Sequence, residues 1–222
     1  MAAPQVPPAE MTLDELRAAL APLLPGHAAF DGWNAKAPAA AAGELGVPAD
    51  RAALAFSDGA VQMIDAWFDA VDKGMASHFP LEKIERMKIR ERIRDLVLYR
   101  IEVMAPHKEA LRRAFAILSM PQNALAAAKL AWRAADRMWR IAGDTATDFN
   151  HYSKRGILSA LYTATMLVFL DDESEDIANT RGFLDRRIDD VMRFEKFKAQ
   201  WKRGDRTPSL GRFLGRLRYP AV

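Results

Sequence analysis

Apolar residues return every three or four positions through most of this chain, the spacing of amphipathic helices, and no segment alternates singly as a half-buried strand would. Leu13, Leu16, Leu20 and Leu23 form the first stripe. Thr12, with Glu15 three residues on, gives its start a capping box, and Pro25-Gly26 is expected to end it. From Ala37 to Phe56 two short helices surround a Gly-Val turn, the second started by Pro48 and Asp50, which is a helix-turn-helix pattern. A longer helix over Ser57–Lys73 carries Val61, Ile64, Phe68 and Val71 on one face, and Gly74 is expected to interrupt or end it. Leu81 to His107 reads as one charged amphipathic helix with Ile89, Ile93, Leu96, Val97 and Ile101 in its stripe.

Lys108–Leu118 adds another helix, and the turn SMPQN starts the next, striped by Leu125, Ala128, Trp132, Ala135 and Trp139, whose two Trp read as core. Gly143 stops that helix, and Asp144 or Thr145 can cap the next segment. Ile157–Leu170 is apolar on nearly every side, so it is buried centrally or faces a cavity. After the acidic turn DDESEDIANT, with Ser174 as a cap, Ile177–Phe197 presents Phe183, Leu184, Ile188 and Val191 on one face. The fold class is all-α, about nine or ten helices without internal repeat.

Composition narrows what such a bundle does. Of the 222 residues 50% are apolar, enough for a core without staples. There is no cysteine, which removes disulfides, thiolate zinc sites and a cysteine nucleophile and suits a reducing compartment. The four histidines, His27, His78, His107 and His151, are far apart, without an HxxxH or HExxH pair, so no metal site is expected. The net charge of +3 is unevenly spread: from Arg193 onward nine Lys or Arg face only Glu195 and Asp205, a balance of +7 that leaves −4 on the first 192 residues. A basic tail of this kind argues for an anionic surface met by the C-terminus. The Pro-rich start shows neither a secretory signal nor an Arg-rich transit pattern, and the apolar run Gly156–Leu170 falls short of the roughly 20 residues a spanning helix needs. A soluble or peripheral protein is expected.

The chemistry concentrates between Trp139 and Arg155, WRIAGDTATDFNHYSKR, with Asp136 just before it. An enzyme would pair His151 with a carboxylate as general base. Asp144 reads as a cap, however, Lys154 and Arg155 as ordinary helix residues, and no Ser or Cys nucleophile is placed for activation. Phosphate loops of the GxGxxG or GxxxxGK kind and di-iron ExxH pairs are missing as well. No catalytic residue is assigned.

The run ADRMWRIAGDTATDFNHYSKRGILSALYTAT, followed by LDDESEDIANTRGFLDRRIDDVM, resembles the lipid-binding accessory proteins of ubiquinone (coenzyme Q) biosynthesis, the ninth Coq protein family. The matching residues are Trp139, the AGD of Ala142 to Asp144, the TDFN of Thr147 to Asn150, Tyr152, Arg155 and the T-x-x-FL-x-x-R of Thr180 to Arg187. The resemblance runs from Phe30 to Phe194, strongly after Pro121 and loosely before it, where the DGW of Asp31 to Trp33 and GVPADRA match. It implies a TetR-like fold with a degenerate helix-turn-helix and a homodimer that does not repress transcription. It also implies an isoprenoid or other long-chain lipid in an apolar pocket and docking on the di-iron demethoxyubiquinone hydroxylase, with no cofactor of its own. Carried over by position, the hydroxylase contact is Asp136, Met138, Asp148, His151 and Tyr152. Lipid-lining candidates are Trp139, Leu158, Leu161, Tyr162, Thr165, Met166, Phe169, Leu184 and Ile188. One departure stands out: many relatives have Trp where this chain has His151, which removes an aromatic of the kind that anchors interfaces.

In the tail, Leu210, Phe213, Leu214 and Leu217 share one helical face, with Arg212, Arg216 and Arg218 beside or opposite it, as in a helix resting on an anionic bilayer. The expected organisation is a disordered leader (1–11), a helix-turn-helix-like part (12–79), a helical lipid-binding part (80–200) and a basic amphipathic tail (201–222). The resulting expectation is a non-catalytic protein, peripheral on the cytoplasmic face of an inner membrane, that presents a polyprenyl quinone intermediate to the hydroxylase and binds no nucleic acid. The rival is a TetR-like regulator binding DNA and a hydrophobic ligand. It would need a basic recognition helix, and Asp50–Phe56 offers only Arg51. A hydrolase using His151 lacks its nucleophile.

Overall fold

The computed structural model describes residue 7, residues 10–145, residue 147 and residues 149–204, with 149 and 195–204 described by backbone alone. Among the described residues there are eleven α-helices and no strand. They are α1 (Leu13–Leu20), α2 (Leu24–Asp31), α3 (Lys36–Glu44), α4 (Ala49–Ala55), α5 (Ala60–His78), α6 (Leu81–Glu85), α7 (Ile89–Met104), α8 (Lys108–Leu118), α9 (Ala124–Ile141), α10 (Phe149–Asp171) and α11 (Ala178–Gly204). Asp148 and the tail residues Leu210, Arg212, Phe213, Leu214, Arg216 and Leu217 lie outside the described residues.

At the N-terminal end, α1 starts with the expected capping box: Thr12 Oγ1 accepts from the Glu15 N–H at 3.3 Å, and Glu15 Oε2 accepts from the Thr12 N–H at 2.8 Å. The reading of Pro25-Gly26 as its end needs correction. α1 stops at Leu20, and Pro25 sits in the first turn of α2, where its missing N–H costs nothing. Gly46, at φ 65, makes the turn between α3 and α4, and Val47 N–H returns to Ala42 O at 2.9 Å. Ala37, Ala41, Ala42, Ala52 and Ala55 are fully buried, so these short helices pack with small side chains between them. α4 turns Asp50, Ala53 and Leu54 outward, while Arg51 donates to the Met11 carbonyl. Trp33 then anchors this unit to the body: its ring stacks on Trp67 at 5.5 Å and its Nε1 donates to Ala110 O at 2.9 Å.

Two boundaries in the body also differ from the sequence pattern. Gly74 does not end α5, which runs on to His78; a Cβ there would stand 2.8 Å from Tyr99 Oη, so the glycine lets α7 come close. The stripe from Leu81 is broken at Arg86–Lys88 into α6 and α7, so the five-residue α6, like α2, is a helix the sequence pattern does not separate. The break is held because Arg92 Nε and Nη2 donate to Met87 O and Glu85 O at 2.8 and 3.1 Å, while Glu91 Oε2 accepts the Lys88 N–H at 3.0 Å. α7 lies at the centre of the body, packed on α5, α9, α10 and α11.

The link between α10 and α11 turns on Asp172, which is 6% exposed. One oxygen accepts from the Ser174 N–H and Oγ, and the other from the Thr180 N–H and Oγ1, at 2.5–2.9 Å. Burial alone would raise its pKa, but these hydrogen bonds overcome burial and hold the carboxyl far below the usual carboxylate range. The folded value lies under the unfolded one of about 3.9, so the stabilisation is complete above that value and is lost as pH falls toward the folded pKa. Asp172→Asn should lower stability at neutral pH by about 2 kcal/mol, and its deficit should shrink as pH drops below about 4, as urea melts across pH would read.

Candidate functional site

The junction between α9 and α10 is built by a glycine and an arginine. Gly143 takes φ 87, which lets its N–H reach Arg140 O at 3.0 Å and the Asp144 N–H reach Trp139 O at 2.9 Å, closing α9 as expected. Arg155, on the second turn of α10 and 2% exposed, then reaches back across the junction. Its Nε lies 2.6 Å from Asp136, its Nη1 lies 3.0 Å from Asp144, and it also donates to His151 O. Lys154 Nζ pairs with Asp144 at 2.6 Å and lies over the Trp139 ring, while Trp139 Nε1 donates to Lys154 O at 3.0 Å. Far from being ordinary helix residues, Lys154 and Arg155 fasten the two helices, and Asp144 serves them as an ion-pair partner. From the other side, Arg92 Nη1 donates to Ala142 O at 2.7 Å and ties the end of α9 to α7.

Under this fastening lies a cavity of about 470 Å³ between α7, α9, α10 and α11. Its walls are Ile89, Ile93, Trp139, Ile157, Leu158, Leu161, Ile188, Val191 and Met192, and Arg90, Asp144, Asn150, Ser153 and Lys154 stand among the polar residues that line it. α11 is held onto α7 by the ion pairs Arg90–Asp189 at 2.6 Å and Arg94–Asp185 at 2.7 Å. The hydrogen bond that Arg94 donates to Asp185 pushes the Arg94 pKa still higher. The pairs are partly exposed and contribute at most about 1 kcal/mol each, so the apolar contacts of α11 hold this wall.

Four of the nine lipid-lining candidates, Trp139, Leu158, Leu161 and Ile188, are brought together on this cavity. Tyr162, Thr165, Met166, Phe169 and Leu184 do not line it. They are 0–5% exposed and buried elsewhere in the body: Thr165 Oγ1 donates to Leu161 O, Lys108 Nζ lies over Phe169, and Tyr162 Oη accepts from Arg100. Because Ile157–Leu170 is apolar on nearly every side, periodicity alone gave no way to choose its cavity face. Ile89, Ile93, Ile157, Val191 and Met192 were not among the candidates, although Ile188, Val191 and Met192 repeat at steps of three and one on a single face.

The partner candidates separate too. Met138 is 0% exposed and packs in the core, while Asp136 and Trp139 beside it meet α10. Asp136 is 20% exposed and its carboxylate is shared by Arg155 and Arg140, at 2.6 and 2.8 Å. Tyr152 is 63% exposed, with the His151 ring 5.1 Å from its own. Trp132, read as core, is 37% exposed and lies 6.2 Å from the Tyr152 ring, so an aromatic patch joins α9 and α10 on the surface. Among the described residues no cluster of His, Asp or Glu is arranged to hold a metal ion, and no helix is long and apolar enough to cross a membrane.

With 23% identity and a TM-score of 0.62, the fold is similar to the crystal structure of a TetR transcriptional regulator from Nitrosomonas europaea, over 78% of this chain and 95% of that one. Residues 124–195, which contain the junction and three helices of the cavity, match the family model described as COQ9. The mitochondrial ubiquinone biosynthesis protein COQ9 of Rattus norvegicus is 36% identical over 167 residues, 72% of this chain, and that of Homo sapiens 34% over 175 residues, 76% of this chain. The chain spans 54% of the length of each of these relatives. With the all-helical TetR-like fold beneath them and the junction inside the matched residues 124–195, the chain belongs to the COQ9 family.

Proposed function

We propose that this chain is a non-catalytic lipid-presenting protein of ubiquinone biosynthesis, working as a homodimer at the cytoplasmic face of an inner membrane. It would hold a polyprenyl quinone intermediate in the cavity between α7, α9, α10 and α11 and offer it to the demethoxyubiquinone hydroxylase. The observation that carries this reading is the apolar cavity bordered by the junction residues that mark the family. At about 30 Å³ per water-sized group, 470 Å³ takes roughly fifteen heavy atoms, about three isoprene units, so the rest of a long chain would extend beyond it. Each buried methylene contributes about 0.8 kcal/mol, which supplies binding without any polar contact deep inside. The exposed patch of Trp132, His151 and Tyr152 is the docking face in this reading, and Trp132 supplies the large aromatic that relatives carry where this chain has His151.

Native mass spectrometry of the gently purified protein tests the lipid part. Co-purified isoprenoid or other long-chain lipid is expected, and Ile188→Trp, which fills the cavity, should release it while leaving the protein folded. The tail is tested apart from the cavity. Deleting residues 208–222 should abolish sedimentation with anionic liposomes and leave the thermal transition unchanged; undiminished sedimentation would remove the tail from the membrane reading. The regulator reading draws support from the fold, but the outward face of α4, with Asp50, Ala53 and Leu54, presents no base-reading donors. An operator fragment retarded by this chain would restore it.

A further inference from the structure

A second cavity, sharing no residue with the first, lies between α5, α8, α9 and α10. It encloses about 250 Å³ and is walled mainly by apolar side chains, among them Phe68, Phe115, Leu130 and Leu167. Four polar residues line it, Arg100, Ser119, Tyr162 and Thr163, of which Arg100 and Tyr162 are buried, at 1% and 5% exposed. Tyr162 Oη accepts from Arg100 Nε at 3.0 Å, which uses an acceptor site of the phenol and leaves its own hydrogen to be placed. Among the described residues no group accepts that hydrogen. A buried hydroxyl in apolar surroundings is strongly favoured to find an acceptor, and Tyr162 lines the cavity.

The charge around it decides what kind of acceptor fits. Arg100 is paired with Asp72, itself 1% exposed. The Oδ2 of Asp72 lies 3.6 and 3.5 Å from Arg133 and Arg137, and these pair in turn with Asp65 and Asp69. Asp69 is shared with the largely exposed Lys73, and the only members of this network that are fully buried are Arg100 and Asp72, one cation and one carboxylate, so no buried positive charge is left over to compensate an anion brought in from water. The volume equals that of roughly eight waters, so it takes a ring-sized molecule and not a polyprenyl chain. We propose that this cavity binds an uncharged, ring-sized apolar molecule carrying one carbonyl-type acceptor, received by the Tyr162 hydroxyl.

Acetophenone, ethylbenzene and benzoate test the proposal as probes, with the full-length chain in isothermal titration. Acetophenone should bind about tenfold more tightly than ethylbenzene, which has the same shape without the acceptor, and benzoate should bind more weakly than acetophenone. Tyr162→Phe should erase the advantage of acetophenone. Ala127→Leu, which extends a half-buried cavity residue into the space, should abolish binding of both neutral probes, with circular dichroism verifying the fold. Equal affinities of the two neutral probes for the parent chain would overturn the acceptor role, and tighter binding of benzoate would overturn the neutral class. Binding that survives Ala127→Leu would overturn the site. These outcomes do not depend on the lipid reading of the first cavity.

Discussion

Replacing Arg155 by Ala should lower stability by about 3–5 kcal/mol, which for a chain of this size is a fall in melting temperature of roughly 10 °C. The reason is the burial of what the guanidinium leaves behind. Asp144 and Asp136, with side chains 5% and 20% exposed, both take their ion pairs from Arg155, and the His151 carbonyl shares the same group. Removing the cation leaves two carboxylates within reach of each other, with Lys154 still beside Asp144 and Arg140 beside Asp136. Arg155→Lys should recover only part of the loss, since an ammonium is a point charge without the planar fork that reaches two carboxylates. Calorimetry of the three proteins checks the order. Because Trp139 Nε1 is bound to the carbonyl next door, at Lys154, the Ala variant should also shift Trp fluorescence as the junction opens. A melting temperature within about 2 °C of the parent, less than 1 kcal/mol for a chain of this size, would show that the pairs are not what fastens α10 to α9.

The second large effect is expected at Asp72. It joins α5 to Arg100 of α7 and stands within 3.6 Å of Arg133 and Arg137 of α9, while Arg100 also donates to Tyr162 of α10. Asp72→Leu leaves the fully buried Arg100 without its counter-charge and should cost about 3–5 kcal/mol. The double variant Asp72→Leu, Arg100→Met removes both charges and should recover most of that stability, because a buried pair contributes little beyond what apolar packing of similar volume would. Urea unfolding of the single and double variants measures the coupling directly. If the double variant is no more stable than the single one, the pair's value lies in its links to α9 and α10 and not in charge balance.

The helical elements were legible because their signals are local. The capping box of Thr12 and Glu15, the Gly46 turn and the stop at Gly143 each act within one or two turns of chain, and each appears where the pattern placed it. The misread boundaries share a different cause. Gly74 stays inside α5 because Tyr99 of another helix fills the space beside it, and the stripe from Leu81 breaks where Arg92 donates to the freed carbonyls. Trp132 and Trp139 lie two turns apart on α9 and look alike in sequence, yet one is a surface ring beside Tyr152 and the other lines a cavity.

By itself, the sequence determined that the chain is all-helical, where most helices begin and end, that its chemistry gathers between Trp139 and Arg155, and, through the motifs there, the family. These follow from backbone geometry and from spacing along a single helix, which three- and four-residue steps encode. Only the tertiary structure decided which face of α10 meets a cavity, that Met138 is core, that Asp72 and Arg100 form one buried pair, and that Arg155 locks Asp136 to Asp144. An apolar side is not one-sided when every side is apolar, and an ion pair between distant residues exists only once packing has brought its two halves together and taken the water away.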